Sequence, residues 1–199
     1  MDDEGVVFVV DDDDALRGAL VLLVESAGMR ARGFASADAF LREVGTDAAG
    51  CLVTDMRMPG LSGLELQQRL VADGSVLPVI VLTGHGDVPA AVQALKAGAV
   101  DFLQKPFAPE RLIECVRGAL ERGCAERARR VLFDTLTARE RDVLAMLMEG
   151  GANKVIAIDL GISERTVELH RARLMKKLGV RTVAELMKLA MAAGLTAGA

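Results

Sequence analysis

The sequence predicts an α/β fold, a doubly wound five-stranded parallel sheet, followed by a separate all-α domain of four helices. Short, wholly apolar runs alternate with amphipathic stretches of helical length through residue 121, and no strand-like run follows. The charge changes sign at the same place. Residues 1–121 hold 10 Lys and Arg against 19 Asp and Glu, a net of 10 − 19 = −9, and residues 122–199 hold 14 against 9, a net of 14 − 9 = +5. This asymmetry indicates two domains with different partners, the basic one suited to a polyanion.

Apolar runs without alternating polar residues predict the strands of the first domain. Residues 6–10 (VVFVV), 51–53 (CLV) and 79–82 (VIVL) are runs of this kind. Strands without alternation are buried on both faces, which is typical of a parallel sheet covered by helices. Weaker strands fit at 29–34 and 99–103, which brings the predicted sheet to five strands.

Amphipathic stretches between these runs predict the helices of the first domain. Within residues 14–27, for example, Leu16 and Leu20 fall on one helical face. Further helices are predicted at 63–72, 88–97 and 110–121.

Capping and breaking residues predict four helices in the second half. Thr137 and Glu140 have the spacing of a capping box, and Gly161 is one of the glycines that separate helices. The predicted helices are residues 137–149, 153–160, 163–177 and 181–192. We therefore predict a first domain at 1–121, a short, partly helical linker at 122–134, and a second domain at 135–199.

Composition narrows the class of protein. The chain has no Trp and no Tyr, which argues against stacking platforms for single-stranded nucleic acid. Its three cysteines lack metal-binding spacing and predict reduced thiols. The acidic N-terminus is unlike a signal peptide, and no apolar run reaches the roughly 18 residues that span a bilayer. We expect a cytoplasmic protein that does not bind membranes.

Reactive side chains follow four of the predicted strands. They are Asp11 and Asp12 after the first, Asp55 after the third, Thr83 after the fourth and Lys105 after the fifth. Ligands of open parallel sheets bind beyond the carboxyl ends of the strands. An acid after a strand is often only a helix cap, but polar groups at four ends of one sheet together predict a binding site.

The residue types in this set favour phosphoryl chemistry. Clustered carboxylates require a cation, and hard oxygen ligands favour Mg²⁺. A carboxylate can attack phosphorus to form an aspartyl phosphate. The Lys105 ammonium and the Thr83 hydroxyl would then share the charge of the phosphoryl oxygens with the metal.

Three segments, VVDDD, VTDMRMPGLSG and VLTGHGDVPAAVQALKAGAVDFLQKPF, carry a resemblance that covers residues 6–106. This region resembles the flavodoxin-like receiver domain of bacterial response regulators. The resemblance implies that Asp55 is the phosphoacceptor and that Thr83 and Lys105 bind the phosphoryl group. It implies a cis Lys105–Pro106 bond, and a switch role for Phe102, which swings inward when Thr83 shifts.

The same resemblance implies a magnesium site. Asp12 would bind Mg²⁺ directly and Asp11 mainly through water, while Asp55 and the backbone carbonyl of Arg57 would complete the protein ligands. The Arg57 and His85 side chains fall where family members vary. They could influence the lifetime of the phosphoryl group or be exposed rim residues.

Residues 153–177, NKVIAIDLGISERTVELHRARLMKK, have the pattern of a helix-turn-helix. A short apolar helix is followed by a turn at Gly161 and by a second helix that is basic on its exposed surface. A four-helix bundle with a solvated basic face fits this pattern equally well.

A longer stretch, LTARERDVLAMLMEGGANKVIAIDLGISERTVELHRARLMKKLGV, resembles the LuxR-type DNA-binding domain. Its pairing with a receiver points to the NarL/FixJ class, and the segment TVELHRARLM resembles the FixJ-like branch. The resemblance implies that the third helix of this domain enters the major groove. Base-facing positions would be Glu168, Leu169 and Ala172. Positions near the DNA backbone or groove edge would be Lys154, Arg165, Thr166, His170, Arg171 and Arg173.

The family implies a transcriptional regulator rather than an enzyme. Its partners would be promoter double-stranded DNA, a sensor histidine kinase and RNA polymerase. Phosphorylation would promote a homodimer through residues 87–121, release the DNA-binding domain, or both.

Two other functions remain possible from the residues alone. Phosphohydrolases of the haloacid-dehalogenase type use a nucleophilic Asp with a second acid two residues later, a position held here by Arg57. A receiver acting through a helical protein-docking domain is the other, although the basic third helix counts against it.

Overall fold

The computed structural model describes residues 5–84 and 88–193, which form two compact units that divide between Ala125 and Glu126. In the described residues, no helix is both long and apolar enough to cross a membrane.

The first unit contains a five-stranded parallel sheet with the strand order β2-β1-β3-β4-β5. This arrangement confirms the predicted doubly wound fold. The strands are β1 (Val6–Val10), β2 (Ala31–Phe34), β3 (Gly50–Asp55), β4 (Val79–Thr83) and β5 (Asp101–Gln104).

Helices cover both faces of this sheet. Phe8 and Val10 pack into one apolar core and Val7 and Val9 into another, because successive residues of a strand point to opposite faces. Both cores exclude water, which explains why β1 has no polar alternation. The helices are α1 (Asp14–Ser26), α2 (Ala37–Glu43), α3 (Gly63–Ala72), α4 (Val88–Lys96) and α5 (Pro109–Asp134).

Two helices differ from the sequence-based description. Helix α2 was not predicted; Ser36 caps it and the buried Phe40 anchors it. Helix α5 continues beyond residue 121 and includes residues 122–134, where the sequence predicted a partly helical linker. The exact domain limits stay predictions.

Residues 126–193 of the second unit contain the end of α5 and, after it, the four predicted helices around one apolar core. Val143, Ile156, Val167, Leu174 and Leu186 are fully buried in that core. The helices are α6 (Ala138–Met148), α7 (Asn153–Leu160), α8 (Glu164–Lys177) and α9 (Val183–Ala192).

Candidate functional site

The carboxyl ends of the central strands meet at one edge of the sheet. Asp55 pairs with Leu82 and Thr83 with Gln104 in the strand register, and Asp11 directly follows β1. The structure thus brings Asp11, Asp55, Thr83 and Lys105 to the same edge although they are far apart in sequence. We call this group of four residues the acidic pocket.

Lys105 joins the two acids of the acidic pocket. Its ammonium donates to Asp11 Oδ2 at 3.1 Å and contacts Asp55 Oδ1. Asp11 is almost fully buried, with 2% of its side chain exposed. Burial lowers the pKa of Lys105, but the hydrogen bonds and negative charges of Asp55 and Asp11 outweigh it. The pKa therefore lies above its ordinary value, and the ammonium stays charged.

Backbone contacts fix the other groups. The backbone N–H of Arg57 donates to Asp55 Oδ2 at 2.7 Å, so both oxygens of Asp55 have a donor. The N–H of Lys105 donates to the carbonyl of the buried Thr83 at 2.7 Å. The Lys105–Pro106 bond is cis, as the resemblance implied.

The backbone of Asp55 lies very close to Gly63, the first residue of α3. A Cβ on Gly63 would lie 2.1 Å from the Asp55 carbonyl oxygen, which no side chain could accept without a backbone shift. The N–H of Gly63 donates to the Met56 carbonyl at 3.2 Å. Helix α3 therefore begins in direct contact with the backbone of Asp55.

Three other predicted residues lie near this edge in different surroundings. Asp12 is exposed in the turn after β1, and Phe102 is partly exposed on β5, opposite Val81 of β4. Arg57 is exposed beside Asp55. His85 lies outside the described residues.

The acidic pocket, together with the neighbouring residues Asp12 and Arg57, has oxygen donors that suit Mg²⁺. Asp11, Asp12, Asp55 and the Arg57 carbonyl offer the hard oxygen donors that this ion prefers. Among the described residues, no three acidic, histidine or cysteine side chains are grouped as metal ligands. The ammonium of Lys105 lies between Asp11 and Asp55 instead, and supplies the positive charge that two neighbouring carboxylates require.

Arg17 is a neighbour of this site that the sequence analysis missed. Its guanidinium donates to the Asp11 carbonyl at 2.8 Å and contacts the Asp14 carboxylate. The spacing of Asp14 and Arg17, three residues apart on a helix, was a signal for the ion pair. No sequence signal indicated the contact with the Asp11 backbone.

The helix-turn-helix of the second unit presents one basic helix to solvent. Helix α7 ends at Gly161, which adopts the left-handed conformation, and Ser163 caps α8 by accepting from the Thr166 N–H at 3.1 Å. Val167 and Leu174 hold α8 against the core. The predicted DNA-facing residues that are exposed are Lys154, Arg165, Glu168, Leu169, Ala172 and Arg173.

Three predicted DNA-facing residues are only partly exposed. The hydroxyl of Thr166 is hydrogen-bonded to Ser163 Oγ at 2.8 Å, and the Arg171 guanidinium donates to Asn153 on α7. The buried Nδ1 of His170 has no hydrogen-bond partner within the described part of the chain. Thr166 and Arg171 therefore also help to position α8.

An ion pair between the buried Glu140 and the partly exposed Lys177 joins the start of α6 to the end of α8. Lys177 Nζ donates to Glu140 Oε2 at 2.6 Å and to the Thr135 carbonyl at 3.0 Å. Glu140, buried and part of a capping box with Thr137, also accepts from the Thr137 N–H at 2.8 Å. The hydrogen bond from Lys177 is the largest influence on Glu140 and lowers its pKa below the ordinary value, with burial acting in the opposite direction.

Comparison with known proteins identifies the family of each half. A family model described as the response regulator receiver domain matches residues 7–117, and one described as bacterial regulatory proteins, luxR family, matches residues 134–190. The transcriptional regulatory protein FixJ of Azorhizobium caulinodans is 50% identical over 195 residues, covering 94% of this chain and 92% of that protein. The chain belongs to the FixJ-like two-component response regulators.

Other response regulators match this chain over most of its length. The response regulator protein TmoT of Ectopseudomonas mendocina is 43% identical over 94% of this chain and 88% of its own length. Among solved structures, the response regulator StyR matches with a TM-score of 0.60 at 43% identity, covering 94% of this chain and 98% of that one. Full-length FixJ from B. japonicum matches with a TM-score of 0.56 at 41% identity, covering 96% and 98%.

Membership in this family decides between the functions that the residues alone left open. This response regulator has a receiver domain and a LuxR-type DNA-binding domain, and its family consists of DNA-binding transcription regulators rather than enzymes.

Proposed function

We propose that a sensor histidine kinase switches this transcription regulator by phosphorylating Asp55. The observation that carries the proposal is the bridge of the Lys105 ammonium between Asp11 and Asp55. This bridge places the positive charge of Lys105 beside the Asp55 carboxylate. One oxygen of that carboxylate contacts Lys105, and the other accepts from the Arg57 N–H. Such an arrangement favours attack by Asp55 on phosphorus and stabilises the charge that develops there.

The proposed reaction transfers a phosphoryl group from the kinase to Asp55. An oxygen of Asp55 forms a bond to phosphorus while the bond from phosphorus to the histidine nitrogen of the kinase breaks, and that nitrogen keeps the electron pair. The Lys105 ammonium then pairs with a phosphoryl oxygen, and the Thr83 hydroxyl donates to another. Asp11, Asp12, Asp55 and the Arg57 carbonyl would hold Mg²⁺, which supplies positive charge to the phosphoryl oxygens.

Thr83 and Phe102 would carry the change to the receiver surface. Thr83 is buried, and Phe102 lies on the neighbouring strand with part of its ring exposed. A shift of Thr83 toward the phosphoryl group frees space into which Phe102 turns. Val92 and Leu95 on α4 are also exposed apolar residues, so burying them with Phe102 would favour a dimer through residues 87–121.

Phosphorylation would raise DNA affinity through this dimer, through release of the DNA-binding domain, or through both. Two tethered domains bind two half-sites at a high effective concentration. In each domain, α8 would lie in the major groove with Glu168, Leu169 and Ala172 toward the bases. Lys154, Arg165 and Arg173 would contact phosphates, which supply affinity without sequence preference. RNA polymerase at the promoter would be the final partner.

Mass spectrometry of the intact protein tests the phosphorylation directly. With acetyl phosphate and Mg²⁺, the wild type should gain one phosphoryl group and Asp55→Asn none. Asp73→Asn removes another acid of the same domain, at the end of α3, and should be labelled like the wild type. Labelling of Asp55→Asn, or none in the wild type, would contradict the proposal.

Sedimentation of the protein with and without beryllofluoride tests the dimer. The ligand should raise the sedimentation coefficient of the wild type and leave Asp55→Asn a monomer. If both remain monomers at the concentrations that bind DNA, dimerisation is not the switch, and release of the DNA-binding domain remains as the route.

A further inference from the structure

Arg17 on α1 holds the turn that carries the first two acids of the receiver. Its Nη1 donates to the Asp11 carbonyl at 2.8 Å, and its Nη2 contacts the Asp14 carboxylate. The Arg17 side chain is only 19% exposed, whereas that of Asp14 is 86% exposed. The hydrogen bond from Arg17 to the Asp11 backbone is thus partly buried, whereas the ion pair with Asp14 is exposed to solvent.

The oxygen that Arg17 holds belongs to the peptide group between Asp11 and Asp12. That peptide group is planar, so fixing its oxygen also fixes the direction in which the Asp12 Cα leaves the strand. The other side of Asp11 is held as well, because its N–H donates to the Phe34 carbonyl at 3.2 Å and its Oδ1 accepts from the Asp13 N–H at 2.9 Å. Arg17 therefore completes the immobilisation of Asp11 and extends it to the exposed Asp12.

Gly33 on β2 makes room for this arginine. A Cβ at Gly33 would lie 3.2 Å from Cγ and 3.3 Å from Cδ of Arg17, which is tighter than ordinary contact. The aliphatic part of the Arg17 side chain therefore lies against β2 at Gly33, where β2 has no side chain. The guanidinium thereby reaches back from α1 to the end of β1.

We propose that Arg17 is a positioning residue for the Mg²⁺ site, acting through the Asp11–Asp12 peptide group, and that Gly33 is required to admit its stem. This inference rests on the proposed function, because it concerns the affinity of the site for the ion that phosphorylation requires. Substitution of residues that orient metal ligands without touching the metal commonly lowers metal affinity by roughly 10- to 100-fold.

The charge of Arg17 acts in the opposite direction, which makes the proposal testable. A guanidinium near a cation site repels the cation, so a purely electrostatic Arg17 would weaken Mg²⁺ binding and its removal would tighten it. A positioning Arg17 strengthens binding, and its removal weakens it. The sign of the effect therefore separates the two roles.

The experiment measures Mg²⁺ affinity of the unphosphorylated full-length protein by calorimetry, together with the Mg²⁺ dependence of labelling by acetyl phosphate. Arg17→Met should raise the Mg²⁺ dissociation constant about tenfold. Arg17→Lys keeps the charge but cannot span both contacts, and should raise it nearly as much. Gly33→Ala, which leaves Arg17 in place but displaces its stem, should raise it by a factor of about two to three. The labelling rate at saturating Mg²⁺ should stay within about twofold of wild type.

Asp14→Asn is the matched control, because it removes the solvated ion pair and leaves the Arg17 bond to the Asp11 carbonyl. Its Mg²⁺ affinity should stay within about twofold of wild type. Thermal unfolding of each variant separates a loss of folded protein from a loss of affinity.

Each outcome bears on a different claim. Tighter Mg²⁺ binding by Arg17→Met, or unchanged binding by both Arg17 variants, would overturn the positioning role and leave the proposed function intact. A wild type that binds no Mg²⁺ and takes no phosphoryl group would overturn the proposed function and this inference together.

Discussion

The two functional regions of this response regulator are built in opposite ways. The acidic pocket draws its residues from four strand ends between Asp11 and Lys105, and its charged groups contact one another. The DNA-facing surface draws most of its residues from the single helix α8, where Arg165, Glu168 and Arg173 are exposed. A pocket of mutually contacting groups should lose its function when one member is removed. A helix surface of separate groups should lose affinity one contact at a time.

Removal of Lys105 should give the largest effect and tests the coupling of the acidic pocket. Lys105→Met leaves Asp11 and Asp55 without the ammonium and removes the proposed donor to the phosphoryl group. We expect the rate of labelling by acetyl phosphate at saturating Mg²⁺ to fall roughly 100-fold. Lys188→Met makes the same chemical change on α9 and should label at the wild-type rate. A loss of less than about threefold in Lys105→Met would show that the pocket tolerates the loss of a member.

The Glu140–Lys177 pair of the second unit resembles the acidic pocket, because its charged groups contact one another. Lys177→Met leaves a buried carboxylate without its ammonium, which should destabilise this unit by about 2 kcal/mol. Hydrogen exchange of α6 and α8 in the full-length chain measures the loss. Lys176→Met, at the exposed neighbouring position, should change exchange little. Equal protection in the two variants would mean that the pair does not hold α8.

Acid should weaken the same unit through Glu140. Because the folded-state pKa of Glu140 is lowered, the carboxylate contributes stability above its ordinary pKa, and that contribution is lost as the pH falls through the folded value. Protection of α6 and α8 in the wild type should therefore decline below a pH of about 4.3. In Lys177→Met the decline should be shallower, because the largest cause of the shift is gone.

Much of the fold and of the acidic pocket could be predicted because both depend on local patterns. Apolar runs predicted three of the five strands, weaker patterns predicted the other two, and reactive side chains at four of the strand ends predicted the group of residues that the structure brings together, since parallel strands end at a common edge. Helix α2 was missed because only seven residues form it, too few to show a helical period, and Phe40 is its only large side chain that is fully buried. Arg17 and the Glu140–Lys177 pair were missed for a different reason. Arg17 contacts a backbone carbonyl, and the Glu140–Lys177 pair joins two helices. Both contacts depend on tertiary packing, which no local pattern encodes.

Single contacts on α8 should behave additively. Arg173→Ala should weaken DNA binding about fivefold on every sequence and reduce the slope of log affinity against log salt by about 1. Filter binding or fluorescence anisotropy over a series of salt concentrations measures both quantities. Arg139→Ala, an exposed arginine on α6, is the control and should leave the slope unchanged. Complete loss of binding in Arg173→Ala would contradict the additive picture.

Glu168 should give the smallest change in affinity and the clearest change in specificity. An acid facing the groove accepts from a cytosine amino group, so Glu168→Ala should relax the preference at one base pair by about 1 kcal/mol. Binding to a set of operator variants with single base-pair changes measures this preference. A uniform change at every position would place Glu168 outside the groove.

We propose that phosphorylation of Asp55 controls the DNA affinity of the second unit. Its most direct test is binding to genomic DNA fragments by wild type and Asp55→Asn, each with and without acetyl phosphate and Mg²⁺. We expect sequence-selective binding that the phosphodonor strengthens in the wild type and does not alter in the variant. Selective binding that is indifferent to both phosphodonor and mutation would contradict it.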